Sequence, residues 1–242
     1  MEIKRSDLEI DADYGKVKIL YQDSSVIVIF KPSGLLSVPA PGGKGRSAQS
    51  VLEAIMRKTG RFSSSFRPAA VHRLDRDTSG VMMFALTKSV QQKIMDNWQS
   101  VVTRRLYHAV AENPRYGRKI PLEGRIDAPL AYNAYHVAYV PRNDGRNGKH
   151  IELVNAVTNY RILKEGKKFT LFELDLETGR KNQIRAHLSS LGYPISGDTN
   201  YRAATDRFGR LALNACLLEF VHPETGRRLE FAVPEPVSWR KI

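Results

Sequence analysis

The sequence predicts an α+β fold with a mixed, largely antiparallel central sheet and flanking helices. Three observations support this prediction: β-rich segments outnumber helical ones, short polar turns separate them, and neither an internal repeat nor a break in composition divides the chain. We therefore expect residues 1–242 to form a single domain with a short N-terminal extension over residues 1–16.

The individual elements follow from local patterns. Residues 17–21 and 25–30 are β-rich and flank a polar turn, which predicts a hairpin, and Ser47 is a suitable N-cap for a helix that ends near Thr59. The polar, Gly-containing loop 141–149 is the segment predicted to be most mobile. Further strands are predicted over residues 69–74, 81–86, 105–111, 132–140, 150–163, 169–176, 211–221 and 228–233, and helices over 89–99 and 181–191.

The charge of the chain favours a polyanionic partner. Lys and Arg number 38 against 25 Asp and Glu, which gives a formal charge of +13 and a pI near 9.9. The basic residues are dispersed, which predicts a broad basic face on a folded domain with salt-sensitive affinity for nucleic acid. A protein with a solvated basic surface and no nucleic-acid partner remains an alternative at this point.

Hydropathy and cysteine content indicate the compartment. The longest uninterrupted apolar run, residues 81–86, is far shorter than the roughly 18 residues that a membrane span requires. The N-terminal residues lack the apolar stretch of a secretory signal, and the single Cys216 cannot form an intrachain disulfide. We expect a cytoplasmic protein without membrane association.

Sequence motifs for nucleotide and metal binding are incomplete. Residues 43–48 fit the dinucleotide pattern G-x-G-x-x-A formally, but a Pro-rich segment precedes them where a buried strand is needed. Lys44 is followed by Gly45, so the segment is not a P-loop either. The six histidines never occur at i, i+4 spacing, and one cysteine cannot build a zinc site. We therefore expect neither a metal nor a cofactor.

The segment His72 to Gly80, HRLDRDTSG, carries the strongest indication of chemistry. Asp75 lies between Arg73 and Arg76, and nearby cations favour an ionised carboxylate. The alternative is structural, because Asp and Ser before Gly are common turn residues and a lone histidine such as His72 often packs in a core.

HRLDRDTSG resembles the HRLDxxTSG signature of the RluA-type family of RNA pseudouridine synthases. Asn214 departs from this family's pattern, which has His at that position, and Phe30 replaces a polar residue. The resemblance extends over about residues 25–234. Its other motifs, in family order, are VIFKPSGL at 28–35, RLY at 105–107, TGRKNQIRAH at 178–187, GYPISGD at 192–198 and LALNA at 211–215.

The resemblance implies isomerisation of uridine to pseudouridine without a cofactor. Asp75 would be the essential carboxylate, acting either on the anomeric carbon or on a neighbouring ribose proton. Tyr107 would stack on the uracil and take part in proton transfer, and Arg185 would pair with Asp75 and hold it ionised. Their structural alternatives are a half-buried strand tyrosine and a solvated helix cation.

The resemblance also implies a flipped-out base and further substrate contacts. Arg73 would contact RNA where the base has left, with His72 beside it. Ile184 and Leu213 would line the uracil pocket, although either could equally be plain core. Arg180 and Lys181, with the basic residues of 202–210, would contact phosphates.

The expected partner is ribosomal or transfer RNA, bound by a monomer without a separate N-terminal RNA-binding appendage. Two other classes of protein remain as alternatives: a catalytically idle RNA-binding module on the same fold, and a cofactor-free base-excision glycosylase. The first would not need Asp75, Tyr107 and Arg185 together, and the second does not account for the other motifs.

Overall fold

The computed structural model describes residues 3–5, 16–43, 45–114, 119–141 and 152–242. The chain forms two compact units, each assembled from two segments. Unit 1 contains Met1–Arg105 and Asn214–Pro236, and unit 2 contains Leu106–Leu213 and Val237–Ile242. The predicted α+β class is confirmed, whereas the single-domain organisation stays a prediction.

Thirteen strands and four α-helices are found among the described residues. The strands are β1 (Ile3–Arg5), β2 (Lys18–Gln22), β3 (Val26–Lys31), β4 (Ala69–Ala70), β5 (Ser79–Ala85), β6 (Val102–Glu112), β7 (Glu123–Asp127), β8 (Ala131–Tyr132), β9 (Ala138–Tyr139), β10 (Val157–Glu165), β11 (Phe169–Leu176), β12 (Leu213–Val221) and β13 (Arg228–Ala232). The helices are α1 (Ala48–Lys58), α2 (Lys88–Asp96), α3 (Trp98–Val101) and α4 (Gln183–Ser190), with short 3-10 turns at Thr199–Tyr201 and Val237–Lys241.

The sheet of unit 1 is mixed. Its strands pair in the order β2-β3-β5-β12-β13-β1, and β4 also pairs with β5. The pairs β5–β12 and β1–β13 are parallel, and the others are antiparallel. Every residue of β3 and β5 is buried, as expected for strands covered on both faces. Their continuous apolar runs therefore form the centre of this sheet.

Unit 2 contains an antiparallel sheet in the order β6-β11-β10-β7. A separate hairpin joins β8 to β9. The core of this unit includes Phe172 from β11 and Ile184 and Leu188 from α4. The apolar side of α4 is thereby buried, which fixes the position of its polar residues.

Several predicted elements are confirmed closely. The strand predicted over residues 169–176 is β11, and the hairpin predicted at the start of the chain is β2–β3. Helix α1 begins after Ser47, whose hydroxyl accepts the Ser50 N–H while the Ser50 hydroxyl accepts the Ser47 N–H. This reciprocal cap explains why the helix starts where the sequence predicts.

Other predicted elements are wrong in extent. The strand predicted over 69–74 is limited to β4, because distant side chains hold residues 74–77 in a turn. The strand predicted over 132–140 is a hairpin, since the Asn133 side chain accepts two backbone N–H groups of its turn. The predicted second helix breaks at Asn97, the predicted basic helix begins only at Gln183, and β7 was not predicted. Lys44 and residues 142–149 of the predicted mobile loop lie outside the described residues.

Gly80 permits the parallel contact between β5 and β12. Its φ of +127° is open mainly to glycine, and a Cβ there would lie 2.2 Å from the Ala215 carbonyl oxygen.

We expect Gly80→Ala to lower the free energy of unfolding by about 4 kcal/mol, measured by urea denaturation. Gly226→Ala is the control, because Gly226 has φ +68° and no atom within 4 Å, and should cost only about 1 kcal/mol. Equal losses would contradict the close approach.

Candidate active site

Asp75 lies in a tight turn that precedes β5 in unit 1. The Thr78 N–H donates to the Asp75 carbonyl at 3.2 Å, which closes the turn. Leu74 is buried and anchors the segment, whereas Asp75 itself is half-buried. Arg76 is exposed and forms a 3.0 Å ion pair with Asp77. The turn therefore holds the Asp75 carboxyl group at the margin of the folded unit, with cationic residues on both sides in sequence.

Residues 31–37 hold this turn through three side chains. The Lys31 amine donates to the Arg76 carbonyl at 3.0 Å, and the Ser33 hydroxyl donates to the Asp77 carbonyl at 2.6 Å. The Ser37 hydroxyl donates to the Leu74 carbonyl at 2.7 Å and accepts the Leu74 N–H at 3.0 Å. With the turn bond of Asp75, the carbonyls of residues 74–77 all accept hydrogen bonds. The backbone around Asp75 is thus fixed before any ligand binds.

Lys31 is the residue whose importance the sequence did not reveal. Its side chain is fully buried, and its amine also donates to the carbonyls of Pro32 and Leu35. A buried ammonium needs such acceptors to offset its desolvation. The motif VIFKPSGL was recognised at residues 28–35, but only burial shows that its lysine is an internal brace for the loop and the turn.

His72 is engaged by the backbone of β5. Its Nε2 accepts the Met83 N–H at 3.0 Å, and its ring lies 5.5 Å from that of Trp98. Burial, with a smaller contribution from Arg105, lowers the pKa of His72 to about 3. The ring is therefore neutral near pH 7 and supports the start of the HRLDRDTSG segment. Its contact with substrate stays a prediction.

Asn214, where the family has His, links β12 to the other end of the same segment. The Ser79 hydroxyl donates to its Oδ1 at 2.6 Å, and the two residues pair across β5 and β12. Both side chains are fully buried. Asn214 therefore has a structural role in joining β12 to β5.

Unit 2 contains the other two predicted catalytic residues. Tyr107 lies on β6 opposite Leu174, is half-buried and packs against the core of this unit. Arg185 lies on α4 and is 9% exposed. Each is fixed by a regular element, which limits the orientations that its side chain can adopt.

Arg185 forms a buried bidentate pair with Asp198. Its Nε and Nη2 donate to the two carboxylate oxygens at 2.6 and 2.7 Å, and Asp198 is only 2% exposed. The guanidinium also lies 5.1 Å from the centre of the Tyr201 ring. Because Asp198 occupies the Nε–Nη2 edge, a further acceptor has to use the Nη1 side. The sequence placed Asp198 in a family motif but assigned it no role.

Gln183 and His187 of the TGRKNQIRAH motif are part of the internal scaffold. The Gln183 amide donates to the Val157 carbonyl at 2.9 Å and to the Thr158 hydroxyl at 3.0 Å, and its Oε1 accepts the Thr178 hydroxyl at 2.8 Å. His187 is buried with Nδ1 2.9 Å from the Thr158 hydroxyl, and burial is the main cause that lowers its pKa. These contacts join the N-terminal half of α4 to β10.

The predicted substrate-binding residues fall into two groups. Ile184 and Leu213 are 4% and 3% exposed and belong to the core of unit 2, to which Tyr107 also packs. Arg73, Arg180 and Lys181 are exposed. The Arg180 Nε donates to the Asn155 carbonyl at 3.0 Å, which orients its guanidinium.

The described part of the chain holds no group of three or more His, Cys, Asp or Glu side chains arranged to bind a metal ion. Within the same residues, no helix has the length and apolar character needed to cross a bilayer.

The fold and these motifs define an RNA-modifying isomerase. Residues 25–190 match the sequence model of a family described as RNA pseudouridylate synthase. The chain belongs to this family of pseudouridine synthases, which confirms the resemblance drawn from its motifs.

Individual relatives agree with this assignment. The chain is 34% identical over 238 residues to the uncharacterized RNA pseudouridine synthase YlyB of Bacillus subtilis, covering 97% of this chain and 74% of that protein. It is also 34% identical to the ribosomal large subunit pseudouridine synthase D of Nitrosomonas europaea, covering 96% of this chain and 65% of that protein. The solved structure of human RNA pseudouridylate synthase domain containing 4 aligns with a TM-score of 0.71 and 25% identity, covering 92% of this chain and 90% of that one.

The low pKa of His72 predicts a contribution to acid sensitivity. As pH falls from 6.5 towards 3, the unfolded chain binds a proton at this residue that the folded chain does not. The folded state therefore loses stability over that range. We expect His72→Gln to lose less stability than the unchanged protein between neutral pH and about pH 4.5 in urea titrations. The exposed His136→Gln serves as control, and a parallel response of both variants would contradict this origin.

The buried Arg185–Asp198 pair predicts a large stability effect. Asp198→Asn keeps the shape but leaves a buried guanidinium without its carboxylate, so we expect a loss of about 3 kcal/mol in the free energy of unfolding by urea denaturation. Asp127→Asn removes one carboxylate from Arg125 in a pair whose side chains are about half exposed, and should leave the free energy of unfolding nearly unchanged. Similar small losses would contradict the proposed importance of burial.

Proposed function

We propose that this protein isomerises specific uridines of RNA to pseudouridine, with Asp75 as the essential carboxylate. The observation that carries the proposal is the fixed turn around Asp75, in which four consecutive carbonyls accept hydrogen bonds. Positioning a reacting group in advance removes the entropic cost of ordering it during the reaction. Such a turn suits a side chain that must meet one atom of the substrate.

The reaction requires an ionised carboxylate. The bond from uracil N1 to ribose C1′ breaks, the base rotates, and C1′ bonds to C5, while a proton leaves C5 and one is added to N1. Asp75 either attacks C1′ or removes a ribose proton, and both routes need its anionic form. Because the reaction is a rearrangement, it consumes neither an oxidant nor a nucleotide.

Tyr107 and Arg185 are proposed to act on the same uridine. The Tyr107 ring supplies a flat face for the uracil, and its phenol carries the proton that leaves C5. Arg185 is proposed to orient the Asp75 carboxylate. Its pairing with Asp198 favours this role, because two hydrogen bonds to a buried carboxylate fix the plane and direction of the guanidinium. Ile184 and Leu213 support the uracil site from the core against which Tyr107 packs.

The proposed substrate is ribosomal RNA, with transfer RNA as the second candidate. The relative from Nitrosomonas europaea is named as a ribosomal large subunit enzyme, and the formal charge of +13 suits a long polyanion. The target base has to leave its stack, and Arg73, Arg180 and Lys181 are exposed for contacts to the surrounding RNA. We propose that the protein acts as a monomer in the cytoplasm.

Asp75→Asn tests the central role. We expect a loss of pseudouridine formation of about a thousandfold or more, with RNA affinity and stability retained, because the amide keeps the shape but not the charge. Total RNA from cells lacking the enzyme is incubated with each protein, and new pseudouridines are mapped. Asp77→Asn is the matched control, since Asp77 is two residues away and forms an ion pair with the exposed Arg76.

The outcomes separate the alternatives. Normal turnover by Asp75→Asn would refute the catalytic assignment. A protein that binds RNA without forming any product would be an idle binding module, and release of free uracil would indicate a glycosylase. Product found only in transfer RNA would replace the ribosomal substrate.

A further inference from the structure

Three tyrosines are exposed on one short segment of unit 2. Tyr132, Tyr135 and Tyr139 are 37%, 86% and 36% exposed. They belong to residues 130–140, the β8–β9 hairpin with its flanking residues, which we call the tyrosine hairpin. By contrast, Tyr160, Tyr193 and Tyr201 of the same unit are 8% exposed or less. Tyrosine is enriched at binding interfaces, so this segment is a candidate binding surface.

The turn of the tyrosine hairpin is held in place by its own hydrogen bonds. The Asn133 Oδ1 accepts the N–H groups of Tyr135 and Val137, each at 3.0 Å. The His136 N–H donates to the Asn133 carbonyl at 2.8 Å, and His136 adopts a left-handed φ of +55°. Tyr135 is therefore presented from an ordered turn, which reduces the entropy lost when a ligand stacks on its ring.

The tyrosine hairpin is anchored to the elements that hold Arg185. Ala138 is buried against Ala186 and Tyr201, and the Tyr201 hydroxyl donates to the Ala138 carbonyl at 2.6 Å. The Tyr201 ring is the one that lies 5.1 Å from the Arg185 guanidinium. A ligand on the tyrosine hairpin would thus be placed close to a proposed catalytic residue of the same unit.

Cationic side chains border the tyrosine hairpin. Exposed Arg202 directly follows Tyr201, and exposed Arg180 donates to the carbonyl of Asn155. Asn155 is adjacent to Val154, which exchanges two backbone hydrogen bonds with Leu130 at the base of the hairpin. The nearby acids Asp127 and Glu177 are both bound by Arg125. Arg180 and Arg202 therefore offer two exposed guanidinium groups to an anionic ligand near the hairpin.

We propose that the tyrosine hairpin is an RNA-binding surface on which unpaired bases next to the target uridine stack, while Arg180 and Arg202 contact their phosphates. This inference rests on the proposed function and adds how the RNA is held. Every base has a flat face, so stacking on tyrosine selects unpaired nucleotides without reading their sequence. A base-paired helix hides those faces, and only its phosphates could bind here.

Tyr135→Ala, made in the full chain, tests the surface. Affinity is measured for an RNA stem-loop with unpaired uridines and for a fully paired duplex of the same length. We expect the dissociation constant for the stem-loop to rise by about 5- to 100-fold, because one stacked base is lost, and that for the duplex to stay unchanged. Tyr135→Trp should restore the affinity. Leu122→Ala is the control, since Leu122 is 67% exposed in the same unit but lies outside the hairpin.

Salt titration separates stacking from charge. Tyr135→Ala should leave the dependence of affinity on salt unchanged, whereas Arg180→Gln should reduce its slope by about one. Equal stem-loop affinity of Tyr135→Ala and the unchanged protein would overturn the inference. So would an effect of Tyr135→Ala on self-association in place of RNA binding, which would identify a protein interface.

The activity assay distinguishes this inference from the proposed function. If the unchanged protein forms pseudouridine and Tyr135→Ala binds RNA normally, the inference fails and the function stands. If Tyr135→Ala loses stem-loop affinity but the unchanged protein forms no product, the function fails and the RNA-binding surface stands.

Discussion

The buried amine of Lys31 is the interaction on which the organisation of unit 1 depends. Lys31 is the last residue of β3. Its amine donates to the carbonyls of Pro32, Leu35 and Arg76, which holds residues 31–37 against the turn that carries Asp75. The same loop continues into α1, because the Leu36 carbonyl accepts the Ala48 N–H at 2.7 Å. A fully buried ammonium tolerates no loss of acceptors. Lys31 therefore ties the end of β3 to the turn and to the loop that leads into α1.

In unit 2, the buried pair formed by Arg185 and Asp198 also fixes the residues around it, as Lys31 does in unit 1. Burying two charges gains little net stability, yet it allows few alternative arrangements, because either partner alone would be a buried uncompensated charge. Asp198 also neutralises much of the arginine's charge. The orienting role proposed for Arg185 agrees with this pairing, because the buried carboxylate fixes the direction of the planar guanidinium. In each unit, a buried charged group fixes a residue that is proposed to be catalytic: Lys31 holds the turn of Asp75, and Asp198 holds Arg185.

The predictable part of the fold is the part set by local pattern. The cap at Ser47, the β-rich run of β11 and the apolar runs of β3 and β5 are all contained in neighbouring residues. The turn at residues 74–77 could not be predicted, because its hydrogen bonds come from side chains about forty positions earlier. These contacts hold the segment in a turn, so the strand expected there does not form beyond β4. The partner of Arg185 escaped prediction for the same reason, since Asp198 lies on another element.

The polar residues of the TGRKNQIRAH motif show that a match to a family motif does not by itself give a residue's role. Within TGRKNQIRAH, Gln183 and His187 are as prominent in sequence as Arg180 and Arg185, yet their polar atoms are occupied by β10 and the segment before β8. Arg180 is exposed, and Arg185 is buried and paired with Asp198. The sequence identifies the family through all four residues. Burial and hydrogen bonding then show that Gln183 and His187 hold α4 in place, whereas substrate contacts of Arg180 and Arg185 stay a proposal.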